Sequence, residues 1–421
     1  MATLRPGAVL DPRVETLSAA DRKAALGARL AAAVGHAWAA APRARRTLEG
    51  AGLRPGDVRG LDDLPRIPVT RKDDLPRLQA EEPPFGGLAG VPAAGLTRVF
   101  MSPGPIFDPQ GTEGDFWRFR HGLAAAGFRR GDIALVSASY HLTPLGFMLD
   151  GAARALGCAV IPGGVGQTEL QARVAAQVGA TAYLGTPSFL LQLLQKGREA
   201  GTPLRLEVAF VVAEMLPESL RAELEGFGVR VLQGYGTADQ GCLAYECTEK
   251  GGWHVHPEVL VEVLDLETGA PAAPGQPGEV VATTFEEAYP LLRFATGDIS
   301  TFAPEAPCPC GRTTPKLAGL LGRVGDAVKV KGMFVRGAQV EAVSKRFPEV
   351  SRVQAVVTRE GHQDRLEVTA EVADPSAARD LAARLAEALR EEIKVRGEVR
   401  LVAAGTLPAG AKRIEDRRVW K

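Results

Sequence analysis

The stretch LQGYGTADQG, Leu232–Gly241, decides the fold of this chain. The apolar residues Val229, Val231 and Leu232 lead into it, and this pattern predicts a buried parallel strand that ends in a glycine-rich loop. In open α/β sheets, ligands bind where parallel strands end in such loops. The stretch therefore predicts an α/β protein with a ligand site at the end of this strand.

Four residues of the stretch suit a ligand. Gly234 and Gly236 would let the backbone approach a ligand closely, because glycine carries no side chain. Tyr235 offers a flat ring, and Asp239 can hold a cation beside phosphate groups. A Gly-Tyr-Gly sequence is also typical of a plain tight turn, so the interpretation depends on the rest of the chain.

Upstream of this stretch, short apolar runs alternate with amphipathic helical segments. The predicted buried strands lie at residues 131–139, 157–164, 180–188 and 206–214, with helices predicted at 169–178 and 188–196. Strands and helices that alternate in this way predict a largely parallel sheet flanked by helices.

The pattern changes after Gly322. Residues 350–358 and 366–372 alternate between apolar and polar side chains, which predicts a hairpin. Asp374-Pro375 is predicted to open a helix. The apolar face of that helix would carry Leu381, Leu385, Leu389 and Ile393. This part of the chain is predicted to form a separate, compact α+β domain.

Composition narrows the class of protein. The 421 residues include 50 basic and 50 acidic side chains, a balance that favours neither nucleic acid nor an anionic membrane as a partner. No apolar run reaches membrane-spanning length. The N-terminal segment carries Asp11, Glu15 and Asp21 without a hydrophobic core, so we expect neither a signal nor a transit peptide and a cytoplasmic protein. Five cysteines do not make a disulfide framework.

Two further groups of residues carry a family resemblance. Thr296-Gly297-Asp298, Gly322-Arg323, Lys329 and Gly332 follow the glycine-rich stretch in that order, and Leu61–Arg77 has the sequence LDDLPRIPVTRKDDLPR. In these motifs the chain resembles the phenylacetate–coenzyme A ligases, a family of the adenylate-forming (AMP-binding) enzyme superfamily. The resemblance covers almost the whole chain and is weakest at residues 101–112 and in the C-terminal tail.

The resemblance implies a fold and a reaction. A large N-terminal domain, 1–324, would have mainly parallel sheets flanked by helices, and a small mobile α+β domain, 325–421, would turn at Gly325. The carboxylate of an aryl or arylacetic acid would attack the α-phosphorus of ATP bound with Mg²⁺. Coenzyme A would then take the acyl group from the acyl-adenylate. These small molecules are the expected partners, and a homodimer is compatible with them.

Two alternatives to this reaction stay open. The chain could be an adenylating enzyme that passes its acyl group to a different acceptor. It could also be a homologue that binds nucleotide or acyl ligand without turnover.

The same resemblance assigns residues to the nucleotide and to the acid. In the nucleotide site, the segment Ala213-Glu214 would lie against adenine, Asp298 would accept the ribose hydroxyls, and Arg323 would support ribose or phosphate; Tyr235, Gly236 and Thr237 complete the set. The acyl pocket would lie between Tyr140-His141 and the loop that contains Gly163 and Gly164.

Phosphate binding shows the largest departures from the family. Asp239 stands where relatives usually have a magnesium-binding Glu, and it keeps the charge on a shorter side chain. The hydroxyl- and lysine-rich phosphate loop is replaced by MSPGPIFDPQGT, in which Ser102, Gly104 and Thr112 could still contact phosphate. Prolines lack the N–H donors of such a loop, and Asp108 adds a negative charge. The alternative is a segment that no longer grips phosphate in the usual way.

Lys412 is the candidate catalytic lysine, by resemblance to the end of the family's sequence. When the tail is aligned with the family on Arg413 and Asp416, the position of the usual lysine is Gly410. Lys412 lies two residues later, which is roughly 7 Å along an extended chain. Lys412 would reach the active site if the loop bends, and otherwise it is a solvated surface residue.

The cysteines suggest a metal site. Cys308-Pro309-Cys310 is a tight knuckle, and Cys247 precedes His254 by seven residues. Two knuckle thiolates with one further Cys and one His make a tetrahedral Zn²⁺ set of structural type, as the family resemblance also implies. His256 is the rival fourth ligand, and a group of reduced, partly buried thiols is the alternative. Cys158 and Cys242 are interpreted as ordinary buried thiols.

Overall fold

The computed structural model describes residues 5–102, 105–266, 268–324, 327–331, 333–361, 363–376, 380–408 and 410–418. The chain divides into two compact units. The large unit comprises Met1–Leu216 and Arg221–Gly322, and the small unit comprises Pro217–Leu220 and Arg323–Lys421. The predicted hinge residue Gly325 lies outside the described residues, so the hinge stays a prediction.

The helices up to Gly322 are, in chain order, α1 (Pro12–Glu15), α2 (Ala19–Ala40), α3 (Pro42–Gly50), α4 (Leu75–Glu81), α5 (Arg120–Ala126), α6 (Leu145–Ala155), α7 (Thr168–Val178), α8 (Pro187–Glu199) and α9 (Glu218–Glu225). The strands that begin in the same part of the chain are β1 (Thr70–Arg71), β2 (Arg98–Ser102), β3 (Ile106–Gln110), β4 (Ile133–Ser137), β5 (Ala159–Pro162), β6 (Ala182–Gly185), β7 (Val208–Val211), β8 (Arg230–Thr237), β9 (Gly241–Tyr245), β10 (Trp253–Val255), β11 (Leu260–Leu264), β12 (Gly278–Thr283), β13 (Phe294–Ser300), β14 (Lys316–Leu317) and β15 (Gly322–Arg323).

The main sheet has the order β14-β10-β9-β8-β7-β6-β4-β5. Strands β5, β4, β6, β7 and β8 run parallel, as the alternating pattern predicted, and β9, β10 and β14 continue the sheet antiparallel. Helices α7 and α8 match the predicted helices, and α8 begins where the Thr186 hydroxyl accepts the Phe189 amide at 3.4 Å. The predicted α/β class is confirmed, with mixed sheets.

The predicted glycine loop is a strand. β8 pairs with β7 up to Gln233 and then pairs with β9 from Gly234 to Thr237, so the turn is confined to residues 238–240. A Cβ on Gly234 would lie 2.3 Å from the Phe210 ring, and one on Gly236 would lie 2.3 Å from the Gly241 carbonyl oxygen. These glycines are therefore required by packing within the sheet, and the close approach of a ligand stays a prediction.

A second sheet has the order β1-β13-β12-β11, with β1 parallel to β13 and the other pairs antiparallel. Thr296-Gly297-Asp298, interpreted as a loop, lies within β13. Gly297 has φ of 75°, and the β12–β13 register shifts between Glu279 and Val281. The strand is therefore irregular where Asp298 is presented, which a simple turn assignment misses.

The small unit contains β16 (Ala327–Val330), β17 (Met333–Arg336), α10 (Gly337–Ser344), β18 (Val350–Glu360), β19 (Gln363–Val372), α11 (Leu381–Ile393), β20 (Glu398–Ala403) and β21 (Ile414–Asp416). The predicted hairpin is confirmed as β18–β19, inside a sheet of order β20-β19-β18-β21. All four predicted apolar residues of α11 are buried, so its core-facing side is confirmed.

The predicted start of α11 is wrong. The helix begins at Leu381, after an N-cap at Asp380. The Asp374 carboxylate instead accepts the amide of Ser376 at 2.8 Å and forms a local turn. Among the described residues of the whole chain, no helix is long and apolar enough to cross a membrane.

Candidate active site

Three residues from two sheets form what we call the Tyr235 cluster: Tyr235, Thr296 and Asp298. The Tyr235 hydroxyl donates to an Asp298 carboxylate oxygen at 3.0 Å and lies 3.2 Å from the Thr296 hydroxyl. The Tyr235 ring is stacked against Trp253, with centroids 5.8 Å apart, and the residue is 4% exposed. The ring therefore packs inside the protein, and the hydroxyl positions the Asp298 carboxylate.

A second group, the Asp239 cluster, contains Lys72, Asp108, Asp239 and Tyr289. The Lys72 ammonium forms an ion pair with Asp239, whose side chain is fully buried, and Lys72 itself is only 11% exposed by side chain. The other oxygen of Asp239 finds no hydrogen-bond donor in the part of the chain that the structure describes. Lys72 belongs to the quoted TRKDD motif, but its partner lies 167 residues away, so the sequence did not reveal the pair.

Asp108 is the most unusual member of the Asp239 cluster. It is 1% exposed, and neither carboxylate oxygen has a hydrogen-bond partner among the described residues. Burial, followed by the charge of Asp239, raises the pKa of Asp108 well above its usual value, and Lys72 opposes this shift. Unpaired, buried carboxylate oxygens are the ligands that a hard cation such as Mg²⁺ prefers, so these residues fit the cation that the family resemblance implies.

The predicted phosphate loop forms a hairpin of β2 and β3, with Ser102 paired to Ile106. Gly104 lies outside the described residues, Thr112 is exposed, and Ser102 is buried. The Gln79 side chain holds the hairpin by bonding the Phe107 carbonyl at 2.9 Å and amide at 2.8 Å. Of the two predicted contacts that the structure describes, Ser102 lies beside the Asp239 cluster, where its hydroxyl acts on Asp108.

Two of the predicted nucleotide residues, Ala213 and Glu214, follow the end of β7. Ala213 has a φ of 71°, a conformation that residues other than glycine adopt rarely and that is often found at functional sites. The Glu214 carbonyl accepts from the Gln233 side chain at 2.8 Å. Thr237 closes the β8–β9 turn by accepting the Gln240 amide at 3.2 Å. These contacts attach the expected adenine segment to β8.

The predicted acyl pocket is held by residues that the sequence analysis did not name. Gln171 donates to the carbonyls of Gly164, at 3.2 Å, and Gly166, at 2.7 Å, and it accepts from Ser137 on β4. A Cβ on Gly163 would meet the Gln171 side chain at 2.4 Å, which explains this glycine.

The other side of the predicted acyl pocket holds Tyr140 and His141. The Tyr140 ring packs edge-on against Phe147, and its hydroxyl lies 3.3 Å from Asp150. His141 is exposed, in agreement with the absence of a catalytic assignment.

The four predicted metal ligands come together. Their ligand atoms, from Cys247, His254, Cys308 and Cys310, all lie within 4.8 Å of one another. The sulfurs of Cys247 and Cys308 are 3.7 Å apart, close to the separation of about 3.8 Å that tetrahedral Zn–S bonds of about 2.3 Å produce. The Nε2 atom of His254 lies 3.4 Å from Cys310 Sγ. The donor set fits zinc.

Histidine protonation separates the two rival ligands. His254 Nδ1 lies 3.3 Å from both the carbonyl oxygen and the hydroxyl of Thr314, so Thr314 holds this side of the ring and Nε2 faces the cysteines. His256 Nδ1 instead accepts the Glu258 amide at 3.2 Å, so the proton of neutral His256 is on Nε2. His256 groups with His121 and Glu258 and not with the cysteines.

The His256 group is a poor metal site. Burial, then the neighbouring His121 and Arg118, lowers the pKa of His256 well below its usual value, and Arg29 pairs with Glu258 at 2.9 Å. The positive charges of Arg118 and Arg29 disfavour the binding of a cation here. His121 is held by Glu15 at 3.2 Å, which indicates a structural network.

Two predicted residues lie in the small unit. Lys412 is exposed, and its carbonyl accepts from the Gln354 side chain at 3.0 Å. Arg323, the first residue after the division, is half-buried.

Comparisons with known proteins identify the family of the chain. A family model described as AMP-binding enzyme matches residues 118–284, and one described as AMP-binding enzyme C-terminal domain matches residues 332–418. The chain is 37% identical to a phenylacetate-coenzyme A ligase of Thermus thermophilus, over 86% of this chain and 84% of that protein. It is 30% identical to the Escherichia coli phenylacetate-coenzyme A ligase, over 95% of this chain and 94% of that protein.

A solved structure of 2-hydroxyisobutyryl-CoA ligase, in complex with 2-HIB-AMP and CoA in the thioesterification state, matches with a TM-score of 0.89. The match has 26% sequence identity and covers 97% of this chain and 92% of that one.

Proposed function

The chain belongs to the phenylacetate–coenzyme A ligase family of AMP-binding enzymes, and we propose that it activates an aryl or arylacetic acid. It is an ATP-dependent acid–coenzyme A ligase that forms an acyl-adenylate and then the coenzyme A thioester. One observation supports the proposed ribose site: Tyr235 and Asp298, 63 residues apart, meet in a hydrogen bond that fixes the carboxylate of Asp298.

In the first half-reaction, a carboxylate oxygen of the acid attacks the α-phosphorus of ATP and pyrophosphate leaves. Asp298 accepts the ribose hydroxyls and so holds the nucleotide in position for the attack. Asp239 would hold Mg²⁺, which supplies positive charge to the phosphates. The Lys72 ammonium positions Asp239 through their buried ion pair.

In the second half-reaction, the thiol of coenzyme A attacks the carbonyl carbon of the adenylate and AMP leaves. The flat ring of Tyr140 and the Gly163–Gly164 loop suit an aromatic acyl group between them, which supports an aryl or arylacetic substrate. A 2-hydroxy acid, the type of acid named for the solved relative, is the alternative substrate to test first.

The test is an ATP–pyrophosphate exchange screen with aryl, arylacetic and 2-hydroxy acids, followed by mass spectrometry of coenzyme A thioesters. Exchange and thioester formation with an aryl acid support the proposal. Exchange without a thioester favours a different acyl acceptor. No exchange with any acid contradicts catalysis and favours the homologue that binds without turnover.

We propose Lys412 as the group that draws the carboxylate oxygen toward the α-phosphorus. Lys412→Ala should then slow adenylation by about 100-fold, the cost of losing one preorganised charge, and leave thioester formation from supplied acyl-adenylate nearly intact. Lys394→Ala, which removes another exposed lysine of the small unit, is the control. Adenylation at the parent rate in Lys412→Ala would remove this assignment.

We also propose that Gly325 is the hinge between the half-reactions, because glycine leaves both backbone angles free. Gly325→Pro should keep pyrophosphate exchange and lower thioester formation. Equal loss of both half-reactions, or of neither, would count against it.

We further propose one structural zinc per chain, held by Cys247, His254, Cys308 and Cys310. The support is the sulfur separation and the orientation of His254. Elemental analysis of protein purified without added metal should find about one equivalent, since such closed sites contribute directly to folding. Cys308→Ser should lower the melting temperature more than it lowers turnover, whereas Cys158→Ser, at a thiol outside the set, should spare the metal. A stable protein without metal would contradict the proposal.

A further inference from the structure

We propose that Asp108 and Asp239 together form a two-carboxylate site for one divalent cation of the Mg²⁺ type, which this chain holds with its own side chains before nucleotide arrives. The role of that cation in catalysis rests on the proposed function, whereas its binding does not. Asp108 is thereby a metal-binding residue in a segment where phosphate-loop hydroxyls were expected.

The first support is the cost of burying unpaired charge. Three carboxylate oxygens, both of Asp108 and one of Asp239, are buried and have no hydrogen-bond partner at normal distance among the described residues. The hydroxyl of Ser102 lies close to Asp108 and acts on its charge. A buried polar group without a partner is expensive, and buried charges in proteins are usually paired or bind metals. The Lys72 ammonium contacts the other oxygen of Asp239.

The second support is the balance of charge in the Asp239 cluster. Its two carboxylates face a single ammonium, that of Lys72, so one negative charge is not compensated within the cluster when both carboxylates are ionised. A divalent cation between Asp108 and the unpaired oxygen of Asp239 would compensate it. Lys72 can keep its contact with Asp239, because that contact uses the opposite oxygen.

The third support comes from a neighbouring hydroxyl. Tyr289 is 2% exposed, and its hydroxyl has no hydrogen-bond partner among the residues that the structure describes. The Tyr289 hydroxyl lies near both Asp239 and Asp108, and the Gln79 side chain is also close to it. Ser102 likewise faces Asp108. Hydroxyls in this position can donate to ligating carboxylates and fix their orientation around a metal.

The site also accounts for the altered hairpin. Mg²⁺ usually takes one or two carboxylates and completes its octahedron with waters and substrate phosphate oxygens. A chain that lacks the hydroxyls, lysine and N–H donors of a phosphate loop can grip the triphosphate through the cation instead. Asp108, which looks unfavourable for phosphate on its own, is then the residue that makes this possible.

The experiment measures Mn²⁺ binding by electron paramagnetic resonance without nucleotide, on the full chain pre-incubated with Zn²⁺ so that the thiols do not take up the probe. The parent protein should bind one Mn²⁺ at this site. Asp108→Asn and Asp239→Asn should each weaken binding by about 10- to 100-fold, the range seen when support for a metal site is removed. Asp115→Asn is the matched control, because Asp115 is a buried carboxylate outside the Asp239 cluster that accepts the Arg120 amide at 3.1 Å.

Lys72→Met provides a second variant that keeps both carboxylates. It should tighten Mn²⁺ binding, because the competing ammonium is gone. The inference is overturned if the parent binds no Mn²⁺ at millimolar concentration, or if Asp108→Asn binds as tightly as the parent. The same preparations are assayed for pyrophosphate exchange. If Asp108→Asn shows normal pyrophosphate exchange and unchanged Mn²⁺ affinity, the inference is wrong and the proposed function stands. If the variants change Mn²⁺ affinity as expected but no preparation shows exchange, the proposed function is wrong and the inference stands.

Discussion

The Tyr235 cluster and the Asp239 cluster are built from the same kinds of side chain and differ in how those side chains are paired. Each contains a buried tyrosine and at least one buried aspartate, and Tyr235 and Asp239 are four residues apart in the chain. In the first, the hydroxyl meets the carboxylate at 3.0 Å. In the second, the Tyr289 hydroxyl and three carboxylate oxygens have no hydrogen-bond partner among the described residues.

This difference separates a part of the site that is complete without ligand from a part that is not. A satisfied polar network is rigid and contributes to stability, whereas unpaired buried groups cost free energy until a ligand pairs them. The Tyr235 cluster should therefore affect stability and nucleotide binding together. In the Asp239 cluster, stability and ligand binding should oppose each other.

The largest expected effect is that of Lys72→Met. Removing one partner of a buried ion pair leaves an uncompensated charge, and we expect the free energy of unfolding to fall by about 3–5 kcal/mol at neutral pH. Chemical denaturation with and without Mg²⁺ measures this, and Mg²⁺ should recover part of the loss. Lys23→Met, at an exposed pair with Asp62, is the control and should cost less than about 1 kcal/mol. Equal losses in the two variants would show that the Lys72 pair is not a buried one.

The loss in Lys72→Met should depend on pH. The pKa of Asp108 is raised in the folded protein, so its protonated form is favoured there, and the stability linked to it is present at low pH and lost as pH rises through the folded pKa. Lys72 opposes that rise, so its removal makes the loss at high pH larger. The difference between variant and parent should therefore be smallest in acid and grow toward neutral pH. A difference that shrinks toward neutral pH would contradict this assignment.

Asp298→Ala tests the Tyr235 cluster and should have an intermediate effect. It removes the charged acceptor of the Tyr235 hydroxyl and leaves the Thr296 hydroxyl, at 3.2 Å, as the remaining partner. Because a hydrogen bond to a charged group is worth about 1.5–3 kcal/mol, we expect a loss of stability up to about that size. The same change should lower kcat/KM for ATP by about 10- to 100-fold, because a hydrogen bond to a charged group is worth about 1.5–3 kcal/mol. Denaturation and pyrophosphate exchange should change together. A loss of activity without any loss of stability would break the contrast between the clusters.

Much of the fold was predictable, because strands and helices of the main sheet are local patterns of apolar residues. The group of three cysteines and one histidine was also predictable from residue types. Sequence left His254 and His256 as rivals, and the structure groups His254 with the cysteines while His256 Nδ1 accepts the Glu258 amide. The reason why position 234 requires glycine was not predictable, because it depends on the Phe210 ring in the neighbouring strand. The Lys72–Asp239 pair joins the segment that follows β1 to the turn between β8 and β9. The two residues are 167 positions apart, so no local pattern encodes the pair.

The smallest expected effect is the most direct comparison, because it makes one chemical change at two buried tyrosines. Tyr235→Phe removes a hydroxyl that bonds Asp298 and Thr296, and a typical net hydrogen bond is worth about 0.5–1.5 kcal/mol, so the free energy of unfolding should fall by that amount. Tyr289→Phe removes a hydroxyl that has no hydrogen-bond partner in the described chain, so without Mg²⁺ it should leave stability unchanged or raise it. With Mg²⁺ present, Tyr289→Phe should lose part of the stabilisation that the cation gives the parent, since the hydroxyl can then donate to a ligating carboxylate. Matched denaturation curves for the two variants, each with and without Mg²⁺, measure all four values. Equal destabilisation by both changes in the absence of Mg²⁺ would mean that the Tyr289 hydroxyl is already satisfied, and the contrast between the two clusters would fail.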